Sequence, residues 1–199
     1  MLALALAVLP AAPAPIAGAA SSPLAEALAL CKQADRAPAS EKYALLERGL
    51  AAAEAAVAAD DHDGAAHFAV FCNLGKRMRL DGASFSSLIS LRRLRREVDR
   101  ALELAPDNAD ALVGKAALLY YTPRVLGGDP RESERLMRAA LVVAPDYLDA
   151  RLALARMLEA RGARDEARTT ARQALADAER VASPAKEAEA QRLLRELSD

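Results

Sequence analysis

Beyond residue 22, apolar side chains recur at intervals of three and four, the spacing that lines one face of an α-helix. The periodic stretches pair off. Residues 24–34 and 41–59 predict a first helical hairpin, and residues 65–80 and 87–105 a second, broken at Asp81-Gly82-Ala83. Residues 109–145 predict a third, whose turn is enlarged by an insertion at 122–129. Residues 148–181 predict a fourth, with Gly162 in the turn. A last helix runs from Ser183-Pro184 to Leu197. Ser22, ahead of Pro23, and Ser40 are the expected N-caps of the first two helices, because a hydroxyl there accepts from an otherwise unpaired N–H. In the second hairpin Leu88, Leu91, Leu94, Val98 and Leu102 share one face. Arg92, Arg93, Arg95 and Arg96 therefore fall on the outer face, where Arg95 is expected to pair with Asp99 and Arg93 with Glu97.

The hairpins repeat. Ala101-Leu102-Glu103-Leu104-Ala105-Pro106, Ala140-Leu141-Val142-Val143-Ala144-Pro145 and Ala174-Leu175-Ala176-Asp177-Ala178 resemble one another. Ala140 and Ala174 are 34 residues apart; Ala101 and Ala140 are 39 apart, the same period plus a five-residue insertion. Paired helices at a 34-residue period are the signature of tetratricopeptide repeats. The expected fold is all-α: a tetratricopeptide-type superhelix of about four hairpins plus a C-terminal capping helix. Ala155, Ala167, Ala171 and Ala174 fall where such helices cross closely.

Residues 1–20 break the pattern. Leu2 to Leu9 is wholly apolar, Pro10, Pro13 and Pro15 stop any helix, and Ala17-Gly18-Ala19 suits a signal peptidase. No Lys or Arg follows Met1, so a signal peptide here needs a weak basic region or an upstream start. The expected division is a signal peptide at 1–20 and one α-solenoid domain at 21–199, with a periplasmic or secreted destination and a cytoplasmic one as the alternative. Leu30 ahead of Cys31 is too large for a lipoprotein site, so no lipid anchor is expected.

Composition narrows the function. The 199 residues are 53% hydrophobic and 4% aromatic, with no Trp. Lys+Arg 27 against Asp+Glu 28 gives a net charge of −1, too balanced for a nucleic-acid carrier. The sequence has no glycine-rich phosphate loop, no Gly-x-Ser-x-Gly and no Cys-His nucleophile pair. Asp60-Asp61-His62-Asp63-Gly64 lacks the ligand spacing of a calcium loop and reads as an inter-hairpin turn, with His67 a capping or groove residue. No catalytic residue, metal or cofactor is expected. Cys31 and Cys72 fall on the first helices of adjacent hairpins; they form a bridge in an oxidising compartment or stay as two buried thiols.

Phe68 and Leu112 are 44 residues apart, so the second hairpin also carries an insertion, of about ten, and the binding candidates gather in these two inserted units. Phe68 and Phe71 take core positions. Tyr120 and Tyr121 end a first helix, and first helices line the concave face of such superhelices. Asn73, Lys76 and Arg77 are placed on the same groove, which would be polar and mildly basic, suited to an acidic peptide or an organic acid. In Leu126-Gly127-Gly128-Asp129-Pro130-Arg131-Glu132, the glycines supply φ > 0, Asp129 is the N-cap and Glu132 completes a capping box. As a lid, the insertion would point Arg124 at a ligand carboxylate, beside Asp129.

Three stretches are more specific than generic repeats. They are His67-Phe68-Ala69-Val70-Phe71-Cys72-Asn73-Leu74-Gly75, the helix from Glu97 to Pro106, and Tyr120-Tyr121-Thr122-Pro123-Arg124-Val125-Leu126-Gly127-Gly128-Asp129. Over roughly residues 40–180 the chain resembles the periplasmic tetratricopeptide proteins related to the T component of tripartite substrate transporters, and the similar helical pattern of microtubule-dynamics regulators. The resemblance implies a non-catalytic envelope scaffold that binds a protein or peptide through its concave face, a transporter component among the partners. The alternative it implies is a transport accessory that handles a small organic acid.

Overall fold

A computed structural model describes residues 22–82 and 85–198 of the chain. The leader expected at 1–20 lies outside the described residues, as does the side chain of Leu88. Among the described residues the helices are α1 (Pro23–Arg36), α2 (Ala39–Ala59), α3 (Gly64–Asp81), α4 (Phe85–Leu104), α5 (Ala109–Tyr121), α6 (Pro130–Val143), α7 (Leu148–Ala160), α8 (Arg164–Arg180) and α9 (Pro184–Glu196). A 3-10 turn, Arg124–Leu126, sits between α5 and α6. Each helix packs on the next, α1 also touches α3, and α7 touches α9. This is the predicted stack of four hairpins and a cap. None of the described helices is long and apolar enough to cross a membrane.

Side chains cap α1, α3, α5 and α6, whereas α2, α7, α8 and α9 start without one. Ser22 accepts from Ala25 N at 3.2 Å, and Asn108 from Ala111 N at 3.0 Å. Asp60 accepts from His62 N and Asp63 from Ala65 N, so both carboxylates of the inter-hairpin turn serve the backbone. Ser40 is not a cap. Helix α2 already begins at Ala39, with Pro38 as the N-cap residue, which leaves Ser40 inside the first turn.

Small residues let the helices approach. Ala155, Ala167, Ala171 and Ala174 are fully buried, as expected of close crossings. The core forms two main bodies, and α5 serves both. Ala111 packs with Val70, Phe71 and Val98; Leu112 packs with Leu136, Leu154 and Leu158. Ser133 stands where the repeat usually has Ala; its hydroxyl donates to Ala116 O at 2.6 Å, so the buried polar atom is satisfied. Phe71 is 9% exposed and Phe68 is half-buried, their ring centroids 6.2 Å apart.

Helix α4 keeps its predicted inward face, with Leu94 and Val98 buried. Its outward pairs differ in part. Arg93 does reach Glu97 at 3.7 Å and also Glu54 on α2 at 2.6 Å. Asp99 instead pairs with Lys115 on α5 at 2.7 Å, and Arg95 turns to the inserted loop. A partner on a neighbouring helix thus displaces the one a turn away.

Candidate functional site

The first hairpins close around a disulfide. Cys31 on α1 and Cys72 on α3 are bridged, with Cα atoms 6.3 Å apart. Buried free thiols, the other reading of the sequence, are not what the fold contains. Lys76, one turn beyond Cys72, donates to Cys31 O at 2.8 Å and pairs with Asp35 at 2.7 Å. Arg77 lies toward Glu47 at 3.6 Å and Asp81 at 3.9 Å. Both candidate cations are therefore engaged by carboxylates of their own chain.

Asn73 is not a groove residue. It is fully buried, and its Nδ2 donates to Ala27 O at 3.1 Å and Ala69 O at 2.9 Å. The amide thus ties α3 to α1, while Oδ1 faces Gly49 on α2. The α3 register turns this position toward the adjoining hairpin, so a polar residue there is a packing device.

Between the ends of α1, α2 and α3 an open cleft of about 210 Å³ remains. Lys42, Lys76 and Arg79 line it, Leu46 is buried in its wall, and Asp35 is its one carboxylate. A second, more polar cleft lies over His67. That ring is buried, with Nδ1 2.8 Å from Glu97 Oε2 and Nε2 3.1 Å from Asp61 O. Two acceptors can both be satisfied only by the protonated ring. Burial by itself would lower the pKa of His67, but Glu97 and Asp61 together raise it above 6.5. His67 fastens α3 to α4 and to the preceding turn; the sequence pattern gave no sign of Glu97 as its partner.

The insertion is built from the backbone outward. Thr122 N donates to Leu118 O and Asp129 N to Leu119 O, which holds both ends against the last turn of α5. Gly128 N donates to Pro123 O at 3.1 Å. Only Gly127 has positive φ, at 84°. Gly128 is required for space instead: a Cβ there would lie 1.8 Å from Thr122 O. Arg95 Nη2 reaches across from α4 to Leu126 O at 2.5 Å. Asp129 caps α6 as predicted, accepting from Arg131 N at 2.9 Å and Glu132 N at 3.1 Å. The reciprocal half of the capping box is absent, because Asp129 N is spent on Leu119 O and Arg135 holds the Glu132 carboxylate. That hydrogen bond from Arg135 also lowers the pKa of Glu132.

The aromatic candidates separate. Tyr120 is half-buried against the core that contains Leu112, whereas Tyr121 is 80% exposed. Their rings meet edge to face, centroids 5.2 Å apart. Arg124 lies exposed on the 3-10 turn. The structure therefore brings Tyr121, Arg124 and Asp129 together on one arm, apart from Lys76 and Arg77. It also adds two residues that the sequence reading did not single out: Val125, 92% exposed, and Leu126, 41% exposed. Apolar side chains in a polar-looking loop were the available signal.

No family model matches the chain, and no curated protein matches it in sequence. Solved structures do. The thermophilic TPR protein TTC0263 of Thermus thermophilus superposes with a TM-score of 0.64 at 19% identity, over 84% of this chain and 81% of that one. The chain has a tetratricopeptide-repeat fold. Two structures of MamA cover 75% and 80% of it, at 17% and 16% identity and TM-scores of 0.41 and 0.40. At these identities the likeness concerns the fold. Within that fold, the four hairpins and the capping helix α9 are the repeat units and terminal cap that such stacks need for a continuous core.

Proposed function

We propose that the protein is a non-catalytic scaffold of the bacterial cell envelope that binds a protein or peptide partner. A tetratricopeptide stack suits it to a protein partner, and the Cys31–Cys72 bridge is the observation that carries the envelope setting. Disulfides persist in oxidising compartments and are rare in reducing ones. The apolar, small-residue leader at 1–20 supports the same destination. Fractionation tests it: a protein recovered from the periplasm with its N-terminus near Ala20 and no free thiol fits the reading. A cytosolic protein that starts at Met1 with two titratable thiols overturns it.

A second reading, the organic-acid accessory suggested by the likeness to transporter T components, has one feature in its favour. The cleft lined by Lys42, Lys76 and Arg79 presents three cations against the single carboxylate of Asp35. Of Lys76, Arg77 and Tyr120 only Lys76 lines it, since Arg77 lies toward Glu47 and Tyr120 packs against the core that contains Leu112. Calorimetric titration with succinate decides this reading. Binding lost in Arg79→Ala supports it; no heat at millimolar succinate removes it.

A further inference from the structure

The geometry points to the arm between α5 and α6 as a preformed docking knob, which inserts Val125, Tyr121 and Leu126 into an apolar groove of a partner protein whose rim is acidic. This inference rests on the scaffold reading and says where the partner sits. It begins from a mismatch. Ile89 and Val142 are also exposed, at 67% and 80%, but each lies on a helix face, whereas Tyr121 at 80%, Val125 at 92% and Leu126 at 41% fall within six residues on a segment held by hydrogen bonds. Asp129 N on Leu119 O, Gly128 N on Pro123 O and Arg95 on Leu126 O fix the backbone. Gly128 seats against Thr122 with no room for a side chain. An arm held this firmly loses little conformational entropy on binding, which is what preorganisation contributes to affinity. Aromatic and arginine side chains at the centre of a contact are also the residue types that anchor interfaces.

Charge selects the partner. Arg124 and Arg131 are exposed at either end of the arm, and Arg92 lies one turn before Arg95 on α4. Among the described residues none of these three has a side-chain ion pair. The nearby carboxylates are occupied: Asp129 by the α6 N-terminus, Glu132 by Arg135, Asp99 by Lys115. Arg95 Nε is buried without an acceptor. An apolar tip with cations around it is complementary to an apolar groove with carboxylates around it, and such complementarity sets specificity and on-rate. Three side chains on a rigid turn make an anchor for a protein groove.

The test places a photo-crosslinking amino acid at position 125 of the full chain in its native host, with positions 80 and 142 as exposed comparisons. The expected result is an adduct from position 125 that is lost when Arg124→Glu and Arg131→Glu are combined, with a crosslinked segment that pairs apolar residues with Asp or Glu. That segment, synthesised as a peptide, should bind the purified protein and lose roughly ten-fold or more in affinity against Val125→Asp. Circular dichroism of the variant checks that the surface change leaves the fold intact. Adducts from 80 or 142 but not 125 overturn the knob and leave the scaffold reading standing. No adduct from position 125 overturns the knob, and the scaffold reading is then decided by its own fractionation test. A crosslinked segment without acidic residues, an adduct to a second copy of this chain, or Val125-dependent sedimentation with phosphatidylglycerol vesicles each overturns the knob as stated.

Discussion

Gly49 on α2 and Asn73 on α3 are fitted to each other: a Cβ on Gly49 would stand 2.1 Å from Asn73 Oδ1. In most helix interiors Gly→Ala stabilises by about 1 kcal/mol. Here the added methyl has nowhere to go, because Nδ2 of the same amide is tied to Ala27 O and Ala69 O. Gly49→Ala is expected to destabilise by about 1–3 kcal/mol, the usual cost of overpacking. Gly49→Ala combined with Asn73→Ala should cost less than the sum of the two single changes, since the clash is gone. Urea unfolding of the four proteins reads the coupling.

The Cys31–Cys72 bridge closes a loop of 41 residues in sequence. Chain-entropy reasoning for a loop of that length gives a stabilisation of about 4 kcal/mol. Cys31→Ser combined with Cys72→Ser should lower the urea midpoint accordingly, and added reductant should then have no further effect. An unchanged midpoint in the double variant would mean that packing around the bridge, rather than the bond, holds α1 to α3.

His67 makes stability depend on pH. Its pKa is raised in the folded chain, burial being outweighed by Glu97 and Asp61. The favoured folded form is therefore the protonated one. Its contribution is fully present below 6.5, the unfolded value, and is lost as pH rises through the raised folded value. Other charged groups around the cleft are Arg93, Arg96, Asp99, Arg100 and Glu103. Urea midpoints between about pH 6 and pH 9 should fall more steeply in the wild type than in His67→Gln.

The arm separates two kinds of change. Asp129→Ala should cost about 1 kcal/mol through the lost cap. Glu132→Ala should cost only a few tenths of a kcal/mol, because its carboxylate meets the exposed Arg135 and not the cap backbone. Gly128→Ala should cost more than either, since the added Cβ would meet backbone, which cannot swing aside. Thermal unfolding orders the three.

Much of the fold was legible along the chain. The hairpins, the 122–129 insertion, the Asp129 and Ser22 caps and the capping helix α9 are set by residues within a turn or two of one another. Capping and amphipathic spacing are local physics, and they act before any long-range contact forms. Ser40 shows the limit even there, since Pro38 starts α2 earlier than the hydroxyl would.

The candidate site was less legible, and the reason is direction. Asn73 and Lys76 sit three residues apart on α3, yet one is sealed between helices and the other emerges beside Asp35. Which of them faces out depends on how α1 and α2 lie across α3, and the residues they meet there, Ala27, Asp35 and Gly49, are more than twenty residues away in sequence. The same holds for Arg95, whose partner is Leu126 O rather than Asp99, and for His67 with Glu97. The repeat, its insertion and the Ser22 and Asp129 caps follow from the order of residues along the chain. Only the tertiary structure decided that Cys31 meets Cys72, that Asn73 is buried and that Val125 stands out, because each depends on where separately formed helices come to rest against one another.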